Sequence, residues 1–152
     1  MSEEPRRAEA AALTIGNRVE EMGAAAQLAQ DFGARHGLAS VVIHDLCVAF
    51  DEALSNVVKY GYRDDKRHEI CVRLEIAGTD VVAEVVDDGI PFDPLSAPPP
   101  CLEGGLDERP IGGLGIYLLR QLMDEVHYVR RGNQNGANVS ENSWGTRGSI
   151  KE

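Results

Sequence analysis

An α/β two-layer sandwich, with a largely antiparallel sheet and helices on one face, is the fold class this sequence predicts. Three observations predict it. Two helical patterns follow one another without an intervening strand between Asn17 and Tyr60. Two alternating segments, EICVRLEI and VVAEVVD, are separated only by AGTD. A second helix–strand pair follows a Pro- and Gly-rich gap. The order strand, two helices, hairpin, loop, helix, strand suits helices segregated to one face of an antiparallel sheet. It lacks the βαβαβ rhythm of a doubly wound fold. The chain has 152 residues, which predicts one domain.

Residues 1–10 are polar and predict a loose N-terminus, with a short strand at AALTI. Asn17 stands as a candidate N-cap, with Glu20 three residues on as its capping-box partner. The helix it opens runs to about His36, and Gly37 stops it. Ser40 is a candidate cap for a second helix, which continues to about Tyr60 and ends at Gly61. In EICVRLEI, Ile70, Val72, Leu74 and Ile76 face one way while Arg73 and Glu75 face the other. AGTD then turns the chain into VVAEVVD, so the pair reads as a β-hairpin with a four-residue loop.

Residues 91–113 include APPP and predict a long irregular loop of the kind that serves as a lid. LGIYLLRQLMDEV predicts a helix, and VHYVR a strand. The remainder, from 132 to 152, is polar and Gly/Asn-rich. Its best strand candidate is the late GTRGSI, near 145–150.

Composition removes several functions. Hydrophobic residues make up 43% of the chain, enough for a core. The formal net charge is −10, which argues against binding nucleic acid through phosphates. Solubility alone would account for the acidity, and so would a basic partner surface. Cys47, Cys71 and Cys101 are odd in number and far apart, which predicts a reducing compartment and no zinc site. The N-terminus has no apolar signal core and no segment reaches membrane-span length. A cytoplasmic protein is the expectation.

Three motifs carry chemistry. In the second helix Leu46, Phe50, Ala53, Leu54 and Val57 share an apolar side. Asp45, Glu52, Asn56 and Lys59 form a separate polar stripe. An ordinary solvated face would look the same. Glu52, however, has Val48, Ala49, Ser55 and Asn56 at its helical neighbours, and none of these is a cation. An acid able to take a proton, beside an amide oxygen able to hold Mg²⁺, suits phosphoryl transfer. The second motif is VVDDGIPFDP. Asp87 ends the inward row Val81, Ala83, Val85, where a carboxylate needs hydrogen-bond donors. The amino group of adenine is such a donor, and Gly89 would let a ring approach the backbone. A plain Asp-Gly turn is the alternative. The third motif is GGLGIYLLRQL, whose Gly113 and Gly115 precede a helix whose free N–H groups suit phosphate. It is not a dinucleotide fingerprint, since Leu118 stands where a third glycine would be.

In order and spacing, DEALSNVVKYGY, VVDDGIPFDP and GGLGIYLLRQLMDEV resemble the N box and the two glycine boxes of the GHKL superfamily of ATP-binding domains, which have the Bergerat fold. The resemblance covers roughly residues 11–130. The GIPFDP and IYLLRQLMDEV wording is most similar to stand-alone bacterial anti-sigma factor serine kinases. The resemblance implies ATP and Mg²⁺ as cofactors. It implies a sigma factor and a STAS-type anti-anti-sigma protein as partners, phosphorylation of a serine or threonine on the latter, and a homodimer. Residues 11–131 are then the kinase domain; the polar tail at 132–152 departs from the family, which normally closes its sheet with a strand after the DEV segment. Carried over, Glu52 is the general base, Asn56 coordinates Mg²⁺, and Ser55 and Lys59 lie near the phosphates. Asp87 and Gly89 bind adenine. Gly113, Leu114 and Gly115 wrap the phosphates, and Thr146 is a nucleotide-side threonine; Arg109, by its charge and its place in the lid, is positioned to reach a terminal phosphate. Two other readings compete: a non-catalytic ATP-binding partner-switching module, and the ATPase half of a histidine kinase.

Overall fold

A computed structural model describes residues 10–91 and 123–142. Strand β1 (Ala10–Gly16) leads through a short 3-10 turn (Val19–Glu21) into helix α1 (Gly23–His36) and helix α2 (Ser40–Tyr60). Strands β2 (Glu69–Ala77), β3 (Asp80–Asp87), β4 (Glu125–Arg131) and β5 (Gln134–Asn142) follow. The five strands form one sheet in the order β1-β2-β3-β5-β4, and every neighbouring pair is antiparallel. This is the expected two-layer class.

Alternation on the strands and helical periodicity on α2 meet in one core. Ile70, Val72 and Leu74 of β2 and Val81, Ala83 and Val85 of β3 are buried, facing Val42, Leu46, Ala49, Phe50 and Leu54 of α2. Burying a Leu or Phe side chain contributes about 1.5–3 kcal/mol each, so this row is what seats α2 against the sheet. Ala25, Ala29 and Phe32 bury α1 in the same cluster. Arg73 lies on the opposite sheet face, where it pairs with Glu75. Among the described residues no helix is long and apolar enough to cross a membrane.

Helix stops were more legible than helix starts. Gly37 ends α1 at φ 67, ψ 33, in the left-handed region that glycine adopts without cost. The Asn17 capping box does not form. Asn17 Oδ1 accepts the His68 N–H at 2.8 Å instead, and Glu21 rather than Glu20 reaches back, accepting the Gly16 N–H at 2.8 Å. Both side chains tie β1 to the entry of β2, so tertiary partners outcompete the local cap. Ser40 is the first residue of α2 and Ala39 its cap, with no side-chain bond. The β2–β3 loop is also tighter than expected. Ala77 pairs with Asp80, leaving only Gly78 and Thr79, and Gly78 has φ 65. A glycine first in a two-residue loop suits the twist of a hairpin.

The largest correction concerns the region beyond residue 131. A nine-residue strand, β5, runs from Gln134 to Asn142, inserted between β3 and β4. The stretch expected to be tail thus closes the sheet. The late strand near 145–150 lies outside the described residues. So does most of the helix expected over LGIYLLRQLMDEV. Its last residues, Glu125 and Val126, belong to β4, and Asp124 is captured by the sheet edge: its N–H donates to Ser140 O at 2.9 Å and its Oδ2 accepts the Asn142 N–H at 2.8 Å.

Candidate functional site

The period of two in VVDDG separates its two aspartates. Asp87, last in the inward row of β3, is 6% exposed. Asp88 points the other way and accepts a hydrogen bond from the Tyr62 hydroxyl at 2.9 Å. The Tyr62 ring stacks on His68 with centroids 4.0 Å apart. Only Asp87 therefore faces the helical layer.

Its two oxygens are used unequally. Oδ1 accepts the Gly89 N–H at 2.8 Å and Asn135 Nδ2 at 3.0 Å. Among the described residues no hydrogen bond reaches Oδ2. Burial pushes the Asp87 carboxyl above the usual aspartate value. The hydrogen bonds from Asn135 and Gly89 pull it back, Asp88 adds to the rise, and Arg130 opposes it.

Asp87 lies in a cleft between α2 and the sheet. Ala49, Phe50, Ala53 and Val57 form the helical wall, and Ala83, Val85, Ala137 and Val139 the sheet wall. Polar groups are few: Asn56 and Tyr60 from α2, Asp87, and His127, Tyr128 and Asn135 from the β4–β5 hairpin. A largely apolar slot with a few convergent polar groups is the usual form of a small-molecule site. A flat heterocycle with an exocyclic N–H donor fits this chemistry, since its faces meet aliphatic side chains and its donor meets Oδ2.

The structure brings Asn56 and Asp87, two of the sequence-predicted residues, into one cleft. Glu52 is half-buried one turn before Asn56 on α2. Burial pushes its carboxyl above the usual glutamate value, Asp51 adds to the rise, and Lys59 opposes it. Among the described residues neither Glu52 nor Asn56 spends its side chain on a hydrogen bond. The polar stripe of α2 is not a uniform solvated face. Asp45 is 1% exposed, Glu52 and Asn56 are half-buried, and Lys59 is exposed. Glu52, Ser55 and Lys59 do not line the cleft.

Gly89 has a packing reason beside the ring approach expected of it. A Cβ there would collide with the Gly61 carbonyl oxygen and stand 3.0 Å from Asp87 Oδ1. The glycine is required by the approach of backbone to backbone. Arg109, Gly113, Leu114, Gly115 and Thr146 lie outside the described residues.

Sequence reasoning missed Asn135, Tyr128 and Arg130. Asn135 is 5% exposed and pairs with Asp87 across the β3–β5 ladder. Its Oδ1 accepts from the Tyr128 hydroxyl and from Arg130 Nη1. Counting back by two from buried Val139 through Ala137 places Asn135 inward, and that was the available signal.

The chain matches the family described as histidine kinase-like ATPase domain over residues 15–140. It is 33% identical over 111 residues to the serine-protein kinase RsbW of Bacillus subtilis, spanning 70% of this chain and 68% of that protein. It is 38% identical over 88 residues to the RsbW of Bacillus licheniformis, spanning 55% of each. It is also 31% identical over 98 residues to the serine/threonine-protein kinase BtrW of Bordetella bronchiseptica, spanning 64% of this chain and 69% of that one. Among solved structures, the RsbU and RsbW domains of a Mycobacterium tuberculosis protein superpose with a TM-score of 0.64 at 18% identity, covering 88% of this chain and 32% of that one. That last likeness is one of fold. With the family match running from the end of β1 into β5, the chain belongs to the histidine kinase-like ATPase domain family.

Proposed function

We propose that this protein is a serine-protein kinase of the partner-switching kind: it binds Mg-ATP, phosphorylates a serine or threonine on an anti-anti-sigma protein, and sequesters a sigma factor. The observation that carries the reading is Asp87, buried on the floor of an apolar cleft with Oδ1 doubly hydrogen-bonded and Oδ2 left for a ligand. An exocyclic amino group, as on adenine, donates to such an oxygen. A 6-oxo purine would set acceptor against acceptor.

When bound, ATP supplies the phosphoryl group and Mg²⁺ offsets the charge on its phosphates. Asn56 presents an uncommitted amide oxygen at the cleft wall, a hard ligand suited to Mg²⁺. Glu52, one turn away, takes the proton of the acceptor hydroxyl. Its partial burial raises its affinity for that proton. Ser55 and Lys59 act near the phosphates from the outer side of α2. Gly113, Leu114 and Gly115 hold the phosphates through backbone N–H groups, Arg109 reaches the terminal one, and Thr146 approaches the nucleotide. The acting form is a homodimer in the cytoplasm.

The test is transfer. The purified protein is incubated with Mg-ATP and an anti-anti-sigma protein from the same cell, and the product is mapped by mass spectrometry. Phosphate on a serine or threonine of that partner is the expected result. Binding of ATP without transfer would leave a non-catalytic switching module in place of the kinase.

A further inference from the structure

We propose that Asn135 is the positioning residue that sets how Asp87 meets the nucleotide base, and that Tyr128 and Arg130 hold Asn135 in the one orientation able to do so. The proposal rests on the nucleotide-site reading above.

The orientation of the amide follows from its surroundings. Nδ2 faces only acceptors: Asp87 Oδ1 at 3.0 Å, Ile90 O at 2.9 Å and Gly89 O at 3.4 Å. Oδ1 faces only donors, the Tyr128 hydroxyl and Arg130 Nη1, the latter at 3.2 Å. A flipped amide would put N–H against N–H on one side and oxygen against three oxygens on the other. Arg130 Nη1 also donates to Gly89 O at 2.9 Å. Asn135 therefore joins the base-facing carboxylate, the turn that follows it and the β4–β5 hairpin.

Two consequences follow for Asp87. Asn135 occupies Oδ1, so the free lone pairs lie on Oδ2 and selection of an N–H donor falls to that oxygen. Asn135 also favours the ionised carboxylate, which is the better acceptor. The charged or titratable groups around Asp87 are Asp88 beside it, Arg130, Tyr128 and His127 from β4, Tyr62 after α2, Tyr60 at the cleft end of α2, and Arg67, His68 and Glu69 at the entry of β2. Among the described residues Asp87 Oδ1 has two neutral partners, the Gly89 N–H, fixed by the backbone, and Asn135 Nδ2, whose aim depends on the partners of its own amide oxygen.

The experiment measures ATP and GTP affinity of the full chain by calorimetry from pH 5 to 8, for wild type, Asn135→Asp, Asn135→Leu and Tyr128→Phe. Asn135→Asp sets a second carboxylate against Asp87. Asn135→Leu keeps the bulk and removes the donor. Both should weaken ATP at pH 7 on the order of tenfold, narrow the preference for ATP over GTP, and move the pH midpoint of ATP binding upward. Tyr128→Phe, which removes one of the two donors that hold the amide oxygen, should shift the midpoint in the same direction by less and keeps the question open to measurement if the other two variants fail to fold. A residue that only stabilises the fold would lower the melting temperature and leave both the midpoint and the ATP-to-GTP ratio at wild-type values. That result overturns the proposal. Wild type that binds no ATP overturns the nucleotide site itself, and this inference with it.

Discussion

Gly61 and Gly89 meet backbone to backbone. The carbonyl of Gly61, at the end of α2, accepts the Ile90 N–H at 2.8 Å and occupies the space a Cβ on Gly89 would need. Two chain segments nearly 30 residues apart, α2 and the turn after β3, are thereby fixed against each other at the mouth of the cleft. Gly89→Ala should destabilise the fold by about 1–3 kcal/mol, because neither backbone can step aside cheaply. It should also weaken ATP, since Asp87 Oδ1 lies against the same Cβ. Gly23→Ala, where an added Cβ meets nothing within 4 Å, is the matched control and should be neutral or slightly stabilising. Thermal melts of both variants decide it.

Mg-ATP should stabilise the folded chain. At about 100 times Kd the gain is about 2.7 kcal/mol, read as a rise in melting temperature. GTP at the same concentration should give a much smaller rise. Equal rises would remove the Oδ2 selection from the site.

Asp87→Asn should separate stability from binding. The Asp87 carboxyl is pushed above its ordinary value by burial, so the folded state holds this proton more tightly than the unfolded chain does. Its contribution to stability is then present below the unfolded value and lost as pH rises through the folded one. At neutral pH the buried charge costs stability. An amide at position 87 keeps Oδ1 for Gly89 and Asn135 and removes that cost, so the ligand-free protein should melt higher at pH 7, with the difference vanishing in acid. ATP affinity should fall by about 1–3 kcal/mol, because an N–H₂ replaces the accepting oxygen. Melts across pH, paired with calorimetry, read both effects.

Glu52→Gln should lower phosphate transfer by roughly 10²–10⁴-fold while Mg-ATP affinity changes little. Asn56→Ala should lose Mg²⁺-dependent binding and transfer together. Transfer at the wild-type rate by the glutamine variant would take the base role from Glu52.

The sheet and its register on the helices were legible where side chains alternated cleanly. Ile70, Val72 and Leu74, then Val81, Ala83 and Val85, announce buried faces on their own, and they carry Asp87 inward with them. β5 was not legible because its inward positions read Asn135, Ala137, Val139 and Glu141. Two of the four are polar, and Asn and Ala favour strands poorly. The strand forms because β3 and β4 flank it and supply the ladder, which is tertiary information. Asn135 was hidden with it, since a polar residue in a polar stretch gives no sign of being buried against a carboxylate. The Asn17 cap failed for a related reason: its side chain had a better partner 51 residues away in His68.

The position of β5 between β3 and β4 has a consequence for synthesis. Asp87 and Asn135 are 48 residues apart in the chain, and the strand that carries Asn135 is the last of the five. A nascent chain released from the ribosome as far as β4 has α1, α2 and the β2–β3 hairpin, but β3 lacks its β5 partner and exposes an unpaired edge. The Asp87 carboxylate lacks its Asn135 partner until residues 134–142 emerge. If Asp87 and Asn135 form the nucleotide site proposed above, ATP can stabilise only a chain that already includes β5 and cannot trap an earlier folding intermediate. Folding on the ribosome and readiness to bind the nucleotide are set by the same late strand.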